Sequence, residues 1–315
     1  MIPLIVFNIV RWTVSAMPVR MGYFVARKLA GVHYRFFPGR RSGVLSNVRH
    51  VLTDSPSPRF RTMGERQVAE LIFRRFNGFL FEFFRMSRLR ARDLPKTAAF
   101  KGLHHVDAAL AKGKGVIVAT AHIGNWEFGG LALSLLGYRL HVVAGVQFSK
   151  YLSEHVKNLK RRHDINVVSP EEGYRVLFRA LHNNEVVVLL VDGDVFVNGL
   201  SLDFFSRPAR IPSGAAALSL RTGAPIVPGY VRAEGGFRFE VVVDEPIFPH
   251  STGNKSEDVE KLTRQVLSKV ESYIEENLDQ WCIFREIWSS PAERSGAISK
   301  ERAENDVLQD SVSHN

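Results

Sequence analysis

Apolar residues recur every three and four positions between residues 64 and 90. Val68, Leu71, Ile72, Phe76, Phe79, Leu80, Phe83 and Phe84 follow this spacing, which predicts a helix. The same period runs through 256–278, where Val259, Leu262, Val266, Leu267, Val270, Tyr273 and Ile274 predict a long amphipathic helix. From Gly115 the pattern changes. Val116–Ala121 and Val186–Val191 are short apolar runs rich in β-branched residues, as in strands buried on both faces. Tyr138–Val146, Ile165–Val168, Pro225–Val231 and Phe237–Val243 predict further strands, with helices at 126–136, 151–163, 173–183 and 213–222. Such alternation implies an α/β fold, a central and mostly parallel sheet flanked by helices. Pro38, Gly39, Gly43, Pro56 and Pro58 punctuate residues 38–62, which read as loops around a short helix near Asn47. From Ser290 the chain is polar without large apolar clusters, which predicts a disordered tail over 290–315. No internal repeat is present.

Residues 1–10 are apolar, but Arg11 and Arg20 interrupt the pattern well short of the roughly 20 residues a membrane span requires. A secretory signal places its cations before the apolar run, and here the order is reversed. Residues 12–31 stay mostly apolar, with Trp12, Tyr23 and Phe24 among the arginines. The expectation is an N-terminal membrane-associating helix over 1–37, lying in the interface, ahead of an α/β domain over 38–289. A core helix with solvated arginines and a tilted single span are the alternatives. Six phenylalanines between Phe73 and Phe84 fit contact with lipid, the lining of an acyl groove, or plain core.

Charge sharpens this picture. The 315 residues carry a net charge of +10, and no Asp or Glu occurs before Asp54, whereas Arg11, Arg20, Arg27, Lys28, Arg35, Arg40, Arg41 and Arg49 do. A second basic run follows at Arg85–Arg92. Cations interleaved with greasy residues suit an anionic membrane surface, each contributing about 1 kcal/mol. Nucleic acid is the competing polyanion, but no nucleic-acid motif accompanies the charge, so none is expected as a partner. Cys282 is the single cysteine, which excludes an intramolecular disulfide framework and a cysteine-only zinc site.

The chemistry concentrates in Ala121-His122-Ile123-Gly124-Asn125-Trp126-Glu127, where a buried strand meets a helix. Open α/β sheets bind ligands at this carboxyl end of their strands. Gly124 permits a tight turn and Asn125 is a good N-cap. Glu127 falls in the first helical turn, from which its carboxylate can return to the His122 imidazole, fix its tautomer and stabilise its protonated form. A histidine base with an orienting carboxylate makes a hydroxyl nucleophilic enough to attack a thioester. No serine or cysteine sits in an elbow motif, so direct transfer from donor to acceptor is simpler than an acyl-enzyme.

This segment resembles the His-x4-Asp/Glu motif of lipid acyltransferases, in particular the late lipid A biosynthesis and phosphatidylinositol mannoside acyltransferases, whose motif commonly reads His-x-Gly-Asn-Trp-Glu/Asp. The resemblance continues through Val186–Asp192, Leu202-Asp203-Phe204-Phe205, Pro212-Ser213-Gly214-Ala215 and Thr222-Gly223-Ala224-Pro225-Ile226-Val227-Pro228, and covers roughly residues 1–290. It departs at Ser206-Arg207, where the family usually has Gly, which leaves the local turn open. The resemblance implies an O-acyltransferase with His122 as base and Glu127 as its partner. The donor it implies is acyl carrier protein or coenzyme A thioester, and the acceptor a glycolipid or lipid A-type hydroxyl at the cytoplasmic face of the inner membrane. Arg161 or Arg162 matches a basic position toward the donor or oxyanion, with a solvated helix charge as the alternative. Asn125, Asp192 and Asp203 are further substrate-binding candidates, Asp203 equally an N-cap or salt-bridge residue. The helix start at Ser213-Gly214 offers backbone N–H groups suited to a phosphate, or is merely a helix start. No metal or redox cofactor is expected. Two rivals remain. Asp192-Gly193-Asp194 has the D-x-D spacing with which many glycosyltransferases hold a metal and a nucleotide sugar, and a non-catalytic membrane-binding homologue would keep the fold alone.

Overall fold

The computed structural model describes residues 2–54, 57–143, 157, 160–161, 163–168, 173–193 and 199–288. Two helices open the chain, α1 (Ile2–Ala16) and α2 (Val19–Phe36), where one was expected. Pro18 separates them, because its missing N–H cannot continue the α1 ladder. Among the described residues, no helix is long and apolar enough to cross a membrane. α2 is no loose appendage. It buries Gly22, Ala26, Ala30 and His33, and packs on α4 (Glu65–Met86). A Cβ at Gly22 would stand 2.1 Å from the Phe81 ring, so glycine is what permits the close approach.

Residues 38–54 correct the loop expectation. They form one helix, α3 (Pro38–Asp54). Pro38 opens it, where no intrahelical N–H bond is lost. Gly43 is a contact glycine and not a turn glycine, since a Cβ there would meet the Phe284 carbonyl oxygen at 2.2 Å. The phenylalanines of α4 largely serve the core: Phe73, Phe79 and Phe81 are buried, and only Leu80 among its large apolar residues is exposed.

A short helical turn α5 (Leu94–Thr97) leads into strand β1 (Ala98–Lys101) and helix α6 (His104–Leu110), none of them legible in the pattern. β2 (Val116–Thr120), α7 (Trp126–Leu135), β3 (Leu140–Val143), β4 (Ile165–Val168), α8 (Tyr174–His182) and β5 (Val186–Leu190) then alternate as expected. The expected helix at 151–163 and the tail over 290–315 lie almost wholly outside the described residues, as do residues 144–146 of the third strand. A hairpin of β6 (Leu200–Phe204) and β7 (Arg207–Ile211) precedes α9 (Gly214–Thr222), β8 (Ile226–Gly235), β9 (Arg238–Val243) and α10 (Lys255–Glu276). The hairpin turn left open by the sequence places Phe205 at φ 48° and Ser206 at φ 60°. Left-handed conformation at both central residues is the requirement of a turn matched to strand twist, usually met by glycine. Here the turn is held by the Glu271 carboxylate, which accepts from Phe205 N–H at 2.6 Å, and by Trp288, whose indole N–H donates to Phe204 O at 3.0 Å.

Seven strands form the main sheet in the order β1-β9-β8-β2-β5-β3-β4, parallel throughout except for the β8–β9 pair. Every residue of β2 is buried. Ile117 and Ala119 point into a core shared with α3, α4, α8, α9 and α10, while Val116 and Val118 point into a second core with α6 and α7. Helices on both faces explain why the central strands read as unbroken apolar runs.

Candidate active site

β2 and β5 are adjacent and parallel, with Val116 opposite Val186 and Thr120 opposite Leu190. His122 and Asp192 are separated by the same 70 positions as these partners, so each stands two residues beyond its strand end and the two meet side by side. Asp192 Oδ1 lies 2.9 Å from His122 Nδ1. Its other oxygen accepts the His122 backbone N–H at 2.8 Å and the Trp281 indole N–H at 2.9 Å. Asp192 is fully buried. Burial alone would push its carboxyl up, but the charge and hydrogen bonds of His122, with the Trp281 bond, hold it below the ordinary carboxylate range.

A carboxylate only accepts, so this network assigns the ring proton to Nδ1 and leaves the Nε2 lone pair available. Among the described residues no hydrogen bond engages Nε2, and the His122 side chain is 25% exposed. The ring stands edge-on to Trp126 with centroids 4.9 Å apart. The loop beneath is clamped from two sides. Cys282 N–H donates to His122 O at 2.8 Å, and Gly124 N–H to Gln280 O at 2.9 Å. Gly124 has φ 59°, and a Cβ there would come within 2.0 Å of Val231 O, so the turn requires glycine.

Glu127 does not supply the carboxylate on the imidazole. Its two oxygens lie 2.9 and 2.6 Å from Lys160 Nζ, and both side chains are 14% exposed. The strand register delivers Asp192 to Nδ1, while Glu127 neutralises a half-buried cation that the sequence reading passed over. Asp192 is therefore an orienting residue and not a substrate contact. The same three hydrogen bonds occupy the carboxylate on which a D-x-D metal site would depend; Asp194 lies outside the described residues.

Asn125 is likewise internal. It is fully buried, caps α7 by accepting from Phe128 N–H at 2.9 Å, and donates to Glu82 at 2.8 Å. This confirms the N-cap, and full burial shields the amide from a substrate. Asp203 is exposed on the β6–β7 hairpin opposite Pro208, and among the described residues no hydrogen bond or ion pair joins it to His122. Arg161 is exposed, and Arg162 lies outside the described residues. Ser213 and Gly214 begin α9 with no side-chain cap. Their neighbours Pro212 and Ala215 line a small apolar void with Val191, so this helix start stands beside the strand that carries Asp192.

Trp281, Lys160 and Glu82 are the site residues that sequence reasoning missed. The constant offset between His122 and Asp192 was a usable signal, once β2 and β5 are known to be neighbours. Nothing local marks the other three.

Comparison with known proteins identifies relatives of the chain. A phosphatidylinositol mannoside acyltransferase of Mycobacterium tuberculosis is 30% identical over 214 residues, 66% of this chain and 66% of its own length. The chain thus spans just under two thirds of that relative. A lipid A biosynthesis acyltransferase of Haemophilus influenzae is 23% identical over 229 residues, 69% of this chain and 67% of its own. The crystal structure of a 1-acyl-sn-glycerophosphate acyltransferase from Thermotoga maritima covers 81% of this chain and 95% of that chain at 14% identity, with a TM-score of 0.39, too low to add to the topology above. The family model described as bacterial lipid A biosynthesis acyltransferase matches residues 3–290, and the chain therefore belongs to that family.

Proposed function

We propose that this enzyme moves a fatty-acyl group from an acyl thioester, carried by acyl carrier protein or coenzyme A, to a hydroxyl of a glycolipid or lipid A-type acceptor, with His122 as general base. The observation that carries the reading is the His122–Asp192 pair: Nδ1 held by a buried carboxylate, Nε2 turned to an accessible edge at the end of β2. The acceptor hydroxyl donates its proton to Nε2 as its oxygen attacks the thioester carbonyl. The tetrahedral intermediate then collapses, the C–S bond breaks, and the proton on Nε2 passes to the departing sulfur. Asp192 stabilises the imidazolium between these steps. The thioester is a co-substrate, and the scheme calls for no metal or redox group.

Membrane association at the cytoplasmic face of the inner membrane is part of the same proposal. What supports it is the exposed side of α2, where Met21, Phe24, Val25, Leu29, Val32 and Phe36 are exposed at helical spacing, flanking the strip of buried Gly22, Ala26 and Ala30. Arg20, Arg27, Lys28 and Arg35 are exposed among them. A helix of this design lies in the lipid interface with its cations toward anionic headgroups. Flotation with anionic and neutral vesicles tests it. Co-flotation with anionic vesicles that weakens on the order of 10-fold in Arg27→Gln/Lys28→Gln is expected, and no binding to either vesicle contradicts it.

The transfer reaction is tested with purified protein, radiolabelled acyl-CoA and acyl carrier protein thioesters, and a total membrane lipid extract. A labelled lipid formed by the wild type and absent from His122→Ala is expected, and its mass identifies the acceptor. No labelled lipid with either donor, from folded protein, overturns the reading.

A further inference from the structure

Glu82 sits on α4, outside the catalytic motif, and is fully buried. Three groups converge on its carboxylate. The Tyr23 hydroxyl of α2 donates to Oε1 at 2.6 Å, and the Asn125 amide of the catalytic loop donates to Oε2 at 2.8 Å. The Arg75 guanidinium, two turns earlier on the same face of α4, is ion-paired to the same oxygen. Tyr23 O in turn accepts from Phe237 N–H at 3.1 Å. Burial first, then the Glu82 charge, raises the Tyr23 phenol, so it remains a donor.

One helical turn before Glu82, Phe79 stacks on Trp126 with centroids 4.4 Å apart, and Trp126 is the ring that walls His122. α4 therefore grips two consecutive residues where the loop enters α7, the N-cap Asn125 by hydrogen bond and Trp126 by stacking, through side chains at i and i+3 on one face. Asp192 fixes the angle of the imidazole; the α4 grip fixes the wall against which it stands.

We propose that Glu82 is a positioning residue for His122, acting through Asn125 and Trp126, with Tyr23 as its link to α2. The inference rests on the reading of His122 as the base of acyl transfer. A buried acid that joins two helices to a catalytic loop has no need to touch substrate. Its removal lets the loop shift, and a misplacement of about 1 Å costs on the order of 10²-fold in rate.

The test compares the wild type with Glu82→Gln, Tyr23→Phe and Val270→Ala, the last a buried core change in α10 that serves as the stability control. Melting temperature, kcat and KM for donor and acceptor are measured well below each melting point, together with the NMR signals of the His122 ring, assigned against His122→Ala, in the absence of substrate. Glu82→Gln is expected to lower kcat about 10-fold with both KM values nearly unchanged, and to move the His122 ring protons out of the Trp126 ring current. Tyr23→Phe leaves the Arg75–Glu82 pair intact and is expected to lower kcat about 3-fold with a smaller shift of the same signals. Val270→Ala keeps kcat and the ring signals. If Glu82→Gln does not fold, Tyr23→Phe carries the test. Wild-type ring signals and kcat in a folded Glu82→Gln, or in Tyr23→Phe when that alone folds, overturn the proposal. Because the ring signals need no substrate, that outcome is distinct from failure of the acyl-transfer reading, which shows as activity surviving in His122→Ala.

Discussion

Nδ1 of His122 faces Oδ1 of Asp192 at 2.9 Å, across two parallel strands whose register brings residues 70 apart into contact. The motif's own carboxylate, Glu127, instead closes on Lys160. The acid in the His-x4-Glu spacing and the acid that orients the histidine are thus different residues with different tasks, and each task can be disturbed separately.

Trp281 donates to the oxygen of Asp192 that also receives the His122 backbone N–H. Trp281→Phe keeps the ring packing and deletes that donor. One hydrogen bond to a buried charge contributes about 1.5–3 kcal/mol, so the variant should melt lower and lose on the order of 10-fold in kcat. A kcat equal to wild type would show that the indole N–H does not help hold the pair.

Glu127 and Lys160 form a half-buried ion pair, so each change leaves the other charge uncompensated. Glu127→Gln and Lys160→Met should therefore reduce activity to similar extents, and the double variant should lose no more than either single one. Steady-state kinetics on the four proteins measures this coupling. Additive losses would mean that Glu127 acts apart from Lys160.

Burial pushes the Cys282 thiol up to about 12. The thiolate is the reactive form, so the native enzyme should resist iodoacetamide at neutral pH and become labelled only as it unfolds. Rapid labelling of the native protein would contradict the packing of the Trp281–Ile283 segment against His122.

His33 is enclosed by the rings of Phe37, Phe73, Phe76 and Phe284, and is lowered from the ordinary 6.5 to about 4 by burial and then by the Arg40 charge. Arg40 and Asn77 both bring donors to its ring nitrogens, at 3.3 and 3.2 Å. The fold favours the neutral ring, so between pH 6.5 and 4 the unfolded chain binds the extra proton. The stability contribution of the neutral ring is complete above 6.5 and is lost as pH falls toward 4. Melting curves should show wild type losing a few degrees more than His33→Gln over that window, roughly as expected for a change of order 1 kcal/mol in a chain of this size. Parallel curves for the two proteins would remove His33 from the account.

What the sequence made legible was whatever depends on neighbours along the chain. The apolar runs of β2 and β5, the amphipathic stripe of α10, the glycine turn at Gly124 and the cap at Asn125 are local, and they delivered His122 to the end of a buried strand. Pro38 and Gly43 misled because the same residues that break elements also start helices and permit close contacts; only the tertiary position of Phe284 distinguishes the cases. The partner of His122 was hidden for a related reason. Asp192 was noticed, but its role follows from which strands are adjacent, a non-local fact, whereas the spacing of Glu127 suggested a local return that Lys160 prevents. The Glu82 cluster joins residues from α2, α4 and the catalytic loop and leaves no periodic trace.

The most direct measurement is the kcat of Asp192→Asn with saturating donor and acceptor. The amide keeps the shape of the carboxylate but can no longer hold the Nδ1 tautomer or stabilise the imidazolium. A folded protein with kcat lower by about 10²-fold or more is expected. A folded Asp192→Asn within a few-fold of the wild type would contradict the assignment of His122 and Asp192 as the catalytic pair.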